Sequence, residues 1–193
     1  MRNSLLILIL SLFILSCTNQ SSLIDVDGNK YTTKRINGRI WMTENLKVKH
    51  DPQGNPIKYI YPDSSEANFE TYGLLYEFGN AKNACPEGWR LPTNEEWESL
   101  IDLENTKASD YKDPQFWDGS KNSNSTGFTV RPAGSGNNGQ WPNRFGERTL
   151  FWTSTIDDEH YRWTYIFEED KDMIRKARQH PTYGFSVRCI KKK

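Results

Sequence analysis

The side chains that could carry chemistry in this 193-residue chain fall into small groups. Three histidines, His50, His160 and His180, are far apart. They follow none of the short spacings by which imidazoles share a zinc ion. Carboxylates gather at Glu95-Glu96 and at Asp157-Asp158-Glu159. The first pair sits in Thr93-Asn94-Glu95-Glu96, where a hydroxyl precedes a glutamate by three residues. That is the pattern of a capping box, so these carboxylates read as helix-start groups rather than as an acid/base pair. The second group lies between two β-favouring runs and reads as a solvated turn. Asp157 and Asp158 are kept as ligand-binding candidates because they cluster at that turn. Large aromatics are abundant, with seven Trp, nine Tyr and nine Phe. Trp117 and Trp141 lie among Asn, Gln, Asp and Gly, where an aromatic face beside polar side chains suits a sugar ring. They complete the list of ligand-binding candidates. No Gly-rich string opens a helix with the phosphate-binding pattern, and no Ser stands in a Gly-x-Ser-x-Gly elbow. No residue reads as catalytic, and no metal or cofactor is expected.

"DVDGN", 25–29, resembles the first half of a calcium loop, but the position that should supply the bidentate glutamate is Ile36. The cysteines carry more information. "MRNSLLILILSLFILSC" has one Arg, an apolar core and a small residue before Cys17. The core is too short to span a bilayer and has the flanks of a secretory signal. Ile14-Leu15-Ser16-Cys17 resembles the bacterial lipobox, in which the cysteine is lipidated and becomes the mature N-terminus. Residues 1–17 therefore read as a lipoprotein signal peptide and lipobox, 18–23 as a short polar tether, and 24–193 as one domain of ordinary size. The resemblance implies an outer-membrane protein, held in the membrane through lipidated Cys17. Cys85 and Cys189 remain, and an exported compartment permits a disulfide between them.

The elements that must position these groups follow from pattern. Gly28 and Asn37-Gly38 mark turns, and Asn-Gly between β-favouring runs predicts a hairpin with strands at 30–36 and 39–44. Residues 49–72, with their prolines, read as irregular. A short helix is expected at 74–83 and a second at 94–105, where Trp97, Leu100 and Ile101 recur at helical spacing. From 105 to 148 the chain is rich in Asn, Ser and Gly and reads as a long loop of functional or mobile character, with a short strand at 128–131. "TLFWTSTI" and "YRWTYIF" are strands, the second placing Tyr161, Trp163, Tyr165 and Phe167 on one face. "GFSVRCIK" closes the domain, with Phe185, Val187 and Cys189 inward and Arg188 opposite. The leader carries only Arg2, so the mature chain holds 24 basic against 25 acidic residues. That balance excludes a basic nucleic-acid-binding surface.

The ordered set "DVDGNKYTTKRINGRIWMTENL", "YGLLYEFGNA", "CPEGWRLPTNEEWESL", "FWTST" and "FSVRCIK" resembles the Fibrobacter succinogenes major paralogous domain over about residues 24–191. That family is similar in turn to C-type lectin-like and formylglycine-generating-enzyme-like folds. The resemblance implies an α+β, C-type lectin-like fold: small antiparallel sheets, two helices, a long irregular loop region, and the first and last strands paired. It carries over little chemistry. The reactive cysteine pair of a sulfatase-activating enzyme is missing, as are the calcium-binding strings of a lectin. The expectation is a non-catalytic binding module for a glycan or an envelope protein. A degenerate enzyme of the formylglycine-generating type and a passive envelope component are the alternatives.

Overall fold

A computed structural model describes residues 22–119, 121–136 and 144–193. Cys17 and Trp141 lie outside them. No helix among the described residues is long and apolar enough to cross a membrane. The chain is α+β, with few helices and two antiparallel sheets.

The first sheet begins where the turn chemistry says it should. β1 (Ser22–Ile24) and β2 (Lys30–Ile36) flank the loop at Asp25–Asn29, and β3 (Arg39–Met42) follows the Asn37-Gly38 turn. Both turn residues have positive φ, 47° and 78°. Gly and Asn tolerate this as other residues do not. β4 (Trp89–Arg90) and β8 (Ile190–Lys191) complete the order β1-β2-β3-β8-β4. The C-terminal strand therefore pairs with β3, through Trp41 opposite Ile190, and not with the first strand.

The second sheet is β5 (Arg148–Ile156), β6 (Arg162–Glu168) and β7 (Arg175–Gln179), in that order. It is covered on both faces. Leu150, Trp152 and Ile166 join one core cluster, with Met42, Leu74, Tyr76, Val187 and Cys189. Phe151, Tyr165 and Phe167 join another, with Trp41, Trp97, Phe128 and Ile190. Consecutive apolar residues in Leu150-Phe151-Trp152 thus serve opposite sides, as in any strand buried on both faces. The single aromatic face expected for 161–167 holds for Tyr165 and Phe167, while Tyr161 is 40% exposed. β7, "RKARQ", carries no β-branched or aromatic residue. Pairing with β6 decides it, which local propensity could not foretell.

The helices are shorter than their patterns. One turn, α1 (Phe69–Tyr72), precedes α2 (Phe78–Ala84). The helix expected from residue 74 starts four residues late, because Leu75 bridges Ile60 and Tyr76 bridges Phe185 as extended chain. At Gly73, φ is 75° and an added Cβ would lie 2.6 Å from Asn45 Cβ, so only glycine fits this junction. α3 (Asn94–Leu100) ends before 105. Its capping box forms in full, with Glu96 N–H donating to Thr93 Oγ1 and Thr93 N–H to Glu96 Oε2. Glu96 does more than cap. Arg90 grips it with both terminal nitrogens at 2.7 Å, and Arg39 lies 3.2 Å away. Burial pushes its carboxyl up, but the Arg90 and Thr93 hydrogen bonds and the two guanidinium charges prevail and hold it below the ordinary value.

Cys85 and Cys189 form a disulfide. It joins the end of α2 to the residue before β8. Trp89 and Trp97 are buried, at 9% and 0% exposure. The segment 85–100 thus fixes where the helices meet both sheets.

Candidate functional site

Trp117, read as a face for a sugar, is a correction: it is 3% exposed, and its indole N–H donates to Val130 O at 2.7 Å. Lys112 Nζ lies 4.9 Å from its ring centroid. Lys112 is itself 2% exposed and donates to the carbonyls of Glu168 and Lys171 at 2.6 and 2.9 Å. Burial lowers the Lys112 pKa. The ammonium does for the 168–171 turn what a bound cation would do: it gathers carbonyl oxygens around one charge. The long polar region is accordingly no surface flap, because Tyr111, Trp117, Phe128 and Val130 form part of the second core.

Asp157 and Asp158 close the β5–β6 turn. Asp158 Oδ1 accepts from the backbone N–H groups of His160 and Tyr161, at 2.7 and 2.8 Å, and these bonds lower its pKa, His160 most. Asp157 pairs with Arg178 at 3.2 Å. Both carboxylates serve local structure. The two aspartates of "DVDGN" are likewise engaged. Asp25 accepts from Asp27 N–H, Asn29 N–H and the Tyr31 hydroxyl, and Asp27 from His50 Nδ1 at 2.6 Å. Among the described residues no three His, Cys, Asp or Glu side chains group to hold a metal.

One half-exposed group of adjacent side chains is aromatic and lies beside a cleft. Tyr72 meets Phe116 and Phe145 edge-on, with ring centroids 5.6 and 4.7 Å apart. The Arg131 guanidinium carbon lies 4.4 Å from the Phe116 ring centroid. Arg131 is fixed from behind, its Nε donating to Asp113 Oδ2 at 3.0 Å and its Nη1 to Thr71 O at 2.8 Å. The residues come from α1, from the 111–131 region and from the approach to β5, so no spacing in the sequence links them. Beside them is a small cleft lined by Glu44, Lys47, Glu70, Thr129, Arg131 and Arg188, among others.

The floor of that cleft is unusual in two respects. Arg188 is 1% exposed, yet among the described residues none of its hydrogen-bond partners is a carboxylate. Burial lowers its pKa to about 9, which leaves it cationic at neutral pH. Thr129 has φ 58°, a left-handed conformation that costs a β-branched residue on the order of 1–3 kcal/mol. Arg188 Nη2 holds its carbonyl at 2.7 Å and Asn124 Oδ1 its N–H at 2.8 Å. Strain of this kind persists only where neighbours fix it. The alternation in "FSVRCIK" placed Arg188 away from the Cys189 face, but it said nothing of what covers that other face.

No curated protein and no solved structure matches this chain. The signature of the Fibrobacter succinogenes major domain does match, over residues 35–191. It starts at the end of β2 and takes in the Asn37-Gly38 turn, the capped helix α3, both disulfide cysteines and every strand from β3 to β8, and the chain belongs to that family.

Proposed function

We propose that the chain is an envelope lipoprotein whose domain, of C-type lectin-like type, is a non-catalytic binding module. The observation that carries the reading is the Tyr72, Phe116, Arg131 and Phe145 group. Arg131 is held by Asp113 and the Thr71 carbonyl, and the half-exposed Tyr72 and Phe116 rings lie beside it, over a cleft whose floor carries a strained residue. Rigid aromatic faces give contact area at little cost in side-chain entropy, and an arginine stacked on one of them adds directed donors. Charges around the cleft are of both signs, which favours a neutral glycan or a polar protein surface over a polyanion. Lys47 pairs with Glu70 and Arg131 with Asp113, Glu44 accepts from Thr32, and Arg188 donates to carbonyls, which suits binding better than proton transfer.

The test is a glycan array and an envelope-extract pull-down with the mature domain, run beside Tyr72→Ala/Phe116→Ala and Asp157→Asn/Asp158→Asn. A ligand retained by the second variant and lost by the first, with thermal midpoints preserved, is the expected result. A ligand lost only with the aspartates would move the site to the β5–β6 turn. Turnover of any captured glycan or protein would overturn the non-catalytic reading.

A further inference from the structure

We propose that the pole of the domain around Ile24 and Val26 rests on the surface of the lipid bilayer that carries the anchor. The inference rests on the lipoprotein reading of Cys17 given above. In β1, Leu23 turns toward the core while Ile24 turns out, and Ile24 is 55% exposed. Val26, two residues on, is 50% exposed. Together with Val48, Pro52, Ala84 and Pro86 they line an open cleft of about 300 Å³, to which Asp25, His50 and Glu87 add polar groups.

This pole is rigid. It is built from two loops of the same sequence pattern and the same geometry, "DVDGN" at 25–29 and "DPQGN" at 51–55. In each, the first Asp accepts from the backbone N–H two residues on and from the backbone N–H and side-chain amide of the Asn four residues on. In each, the Gly N–H donates to the Asp carbonyl and φ of the Gly is positive, 82° and 85°. The loops are tied together, since Asp27 Oδ2 accepts from Lys49 N–H and Asp27 Oδ1 pairs with His50. Ile24 and Val26 are therefore presented outward by a fixed frame and cannot fold back onto the core.

The length of the tether says what covers them. Ser22, the first residue of β1, lies five positions after Cys17. Five residues reach at most about 17 Å fully extended. A domain of this size has a radius of gyration of roughly 15 Å. The β1 pole is thus held against the headgroup region while the opposite end of the domain points away. Two apolar side chains would bind a bilayer only weakly if free. Tethering raises their effective concentration at the surface to the millimolar range, which makes a weak contact persistent. Asp25, Asp27 and Asp51 are internally bonded at this pole, so the contact is shallow and interfacial rather than an insertion.

The experiment uses the full chain, matured and reconstituted into phosphatidylcholine vesicles. A single added cysteine, Val26→Cys or Ile156→Cys, carries an environment-sensitive fluorophore attached without reductant, so that the Cys85–Cys189 bond stays closed. Ile156 is as exposed as Val26, at 57%, but lies at the end of β5 in the other sheet. With nitroxide-bearing phospholipid in the vesicles, quenching at position 26 should exceed that at 156 by threefold or more. Equal quenching at the two positions, in protein that floats with the vesicles, overturns the membrane contact and leaves the anchor intact. Protein that does not float with the vesicles overturns the anchor itself, and the contact with it. In unlabelled protein, Ile24→Ser/Val26→Ser should stay anchored but be released by protease several-fold faster. An unchanged release rate would count against the contact.

Discussion

Arg188 Nε donates to Asn45 Oδ1 at 2.7 Å across 143 residues of sequence. The same guanidinium reaches Phe128 O and Thr129 O, both at 2.7 Å. One side chain therefore joins the segment after β3, the long polar region and the approach to β8. Truncation to Arg188→Met keeps much of the volume but strands these carbonyls in the interior. Each unsatisfied acceptor costs about 1–3 kcal/mol, so a loss on the order of 3–5 kcal/mol is expected. Arg188→Lys should recover only part of it, since an ammonium cannot match a planar fork of five donors. Urea denaturation of both variants measures the ordering. An Arg188→Met protein as stable as wild type would show that the network contributes nothing.

Thr129 tests the strain at the same place. Thr129→Gly removes a Cβ from a left-handed backbone at φ 58°. Relief of that strain outweighs the extra chain entropy of glycine, and the expected outcome is a gain of about 1 kcal/mol. A drop in thermal midpoint would mean that the hydroxyl, which accepts from Asn124 Nδ2 at 3.1 Å, matters more than the backbone.

Trp97 packs against Trp41, Phe128, Phe151 and Tyr165 with ring centroids 5.0 to 5.7 Å away. Trp97→Ala should cost about 3–5 kcal/mol. Its indole N–H is buried with no hydrogen-bond partner among the described residues. Trp97→Phe forfeits no hydrogen bond and should cost markedly less, about 1–2 kcal/mol of lost contact. Calorimetry of the pair separates volume from polarity.

The Cys85–Cys189 bond closes a separation of 104 residues, which the chain-entropy estimate values at about 4–5 kcal/mol. Reduction should lower the denaturation midpoint accordingly and leave the binding proposed at the Tyr72 and Phe116 group unchanged while the domain is folded. Non-reduced peptide mapping and a denaturant titration with and without reductant supply the measurement.

Glu96 gives the pH dependence. Its folded pKa is depressed, so its contribution is fully present above the ordinary value of 4.5 and is lost as the pH falls through the folded value. The unfolded state binds more protons in that window, and stability falls with falling pH. The acid limb of the midpoint-against-pH curve should therefore flatten in Glu96→Gln, at a lower midpoint throughout the neutral range.

Much of this protein was determined by the sequence alone. Asn37-Gly38 sets a hairpin, Thr93 and Glu96 start a helix, and Cys85 and Cys189 pair with each other. These are short-range statements: turn φ values, caps and residue counts act within a few residues of the groups that cause them. Family membership belongs here too, because it rests on an ordered series of such local signatures. The tertiary structure alone decided what depends on contacts made across the chain. "RKARQ" is a strand only because β6 lies beside it, and residues 74–76 are extended only because Ile60 and Phe185 claim their backbone. Trp117, read as a binding face, is a core residue because Val130 and Lys112 close over it. Arg188 and Lys112 look like surface cations in one dimension. They are buried because backbone carbonyls from distant segments converge on them, and convergence of acceptors over such separations has no periodicity that a sequence can display.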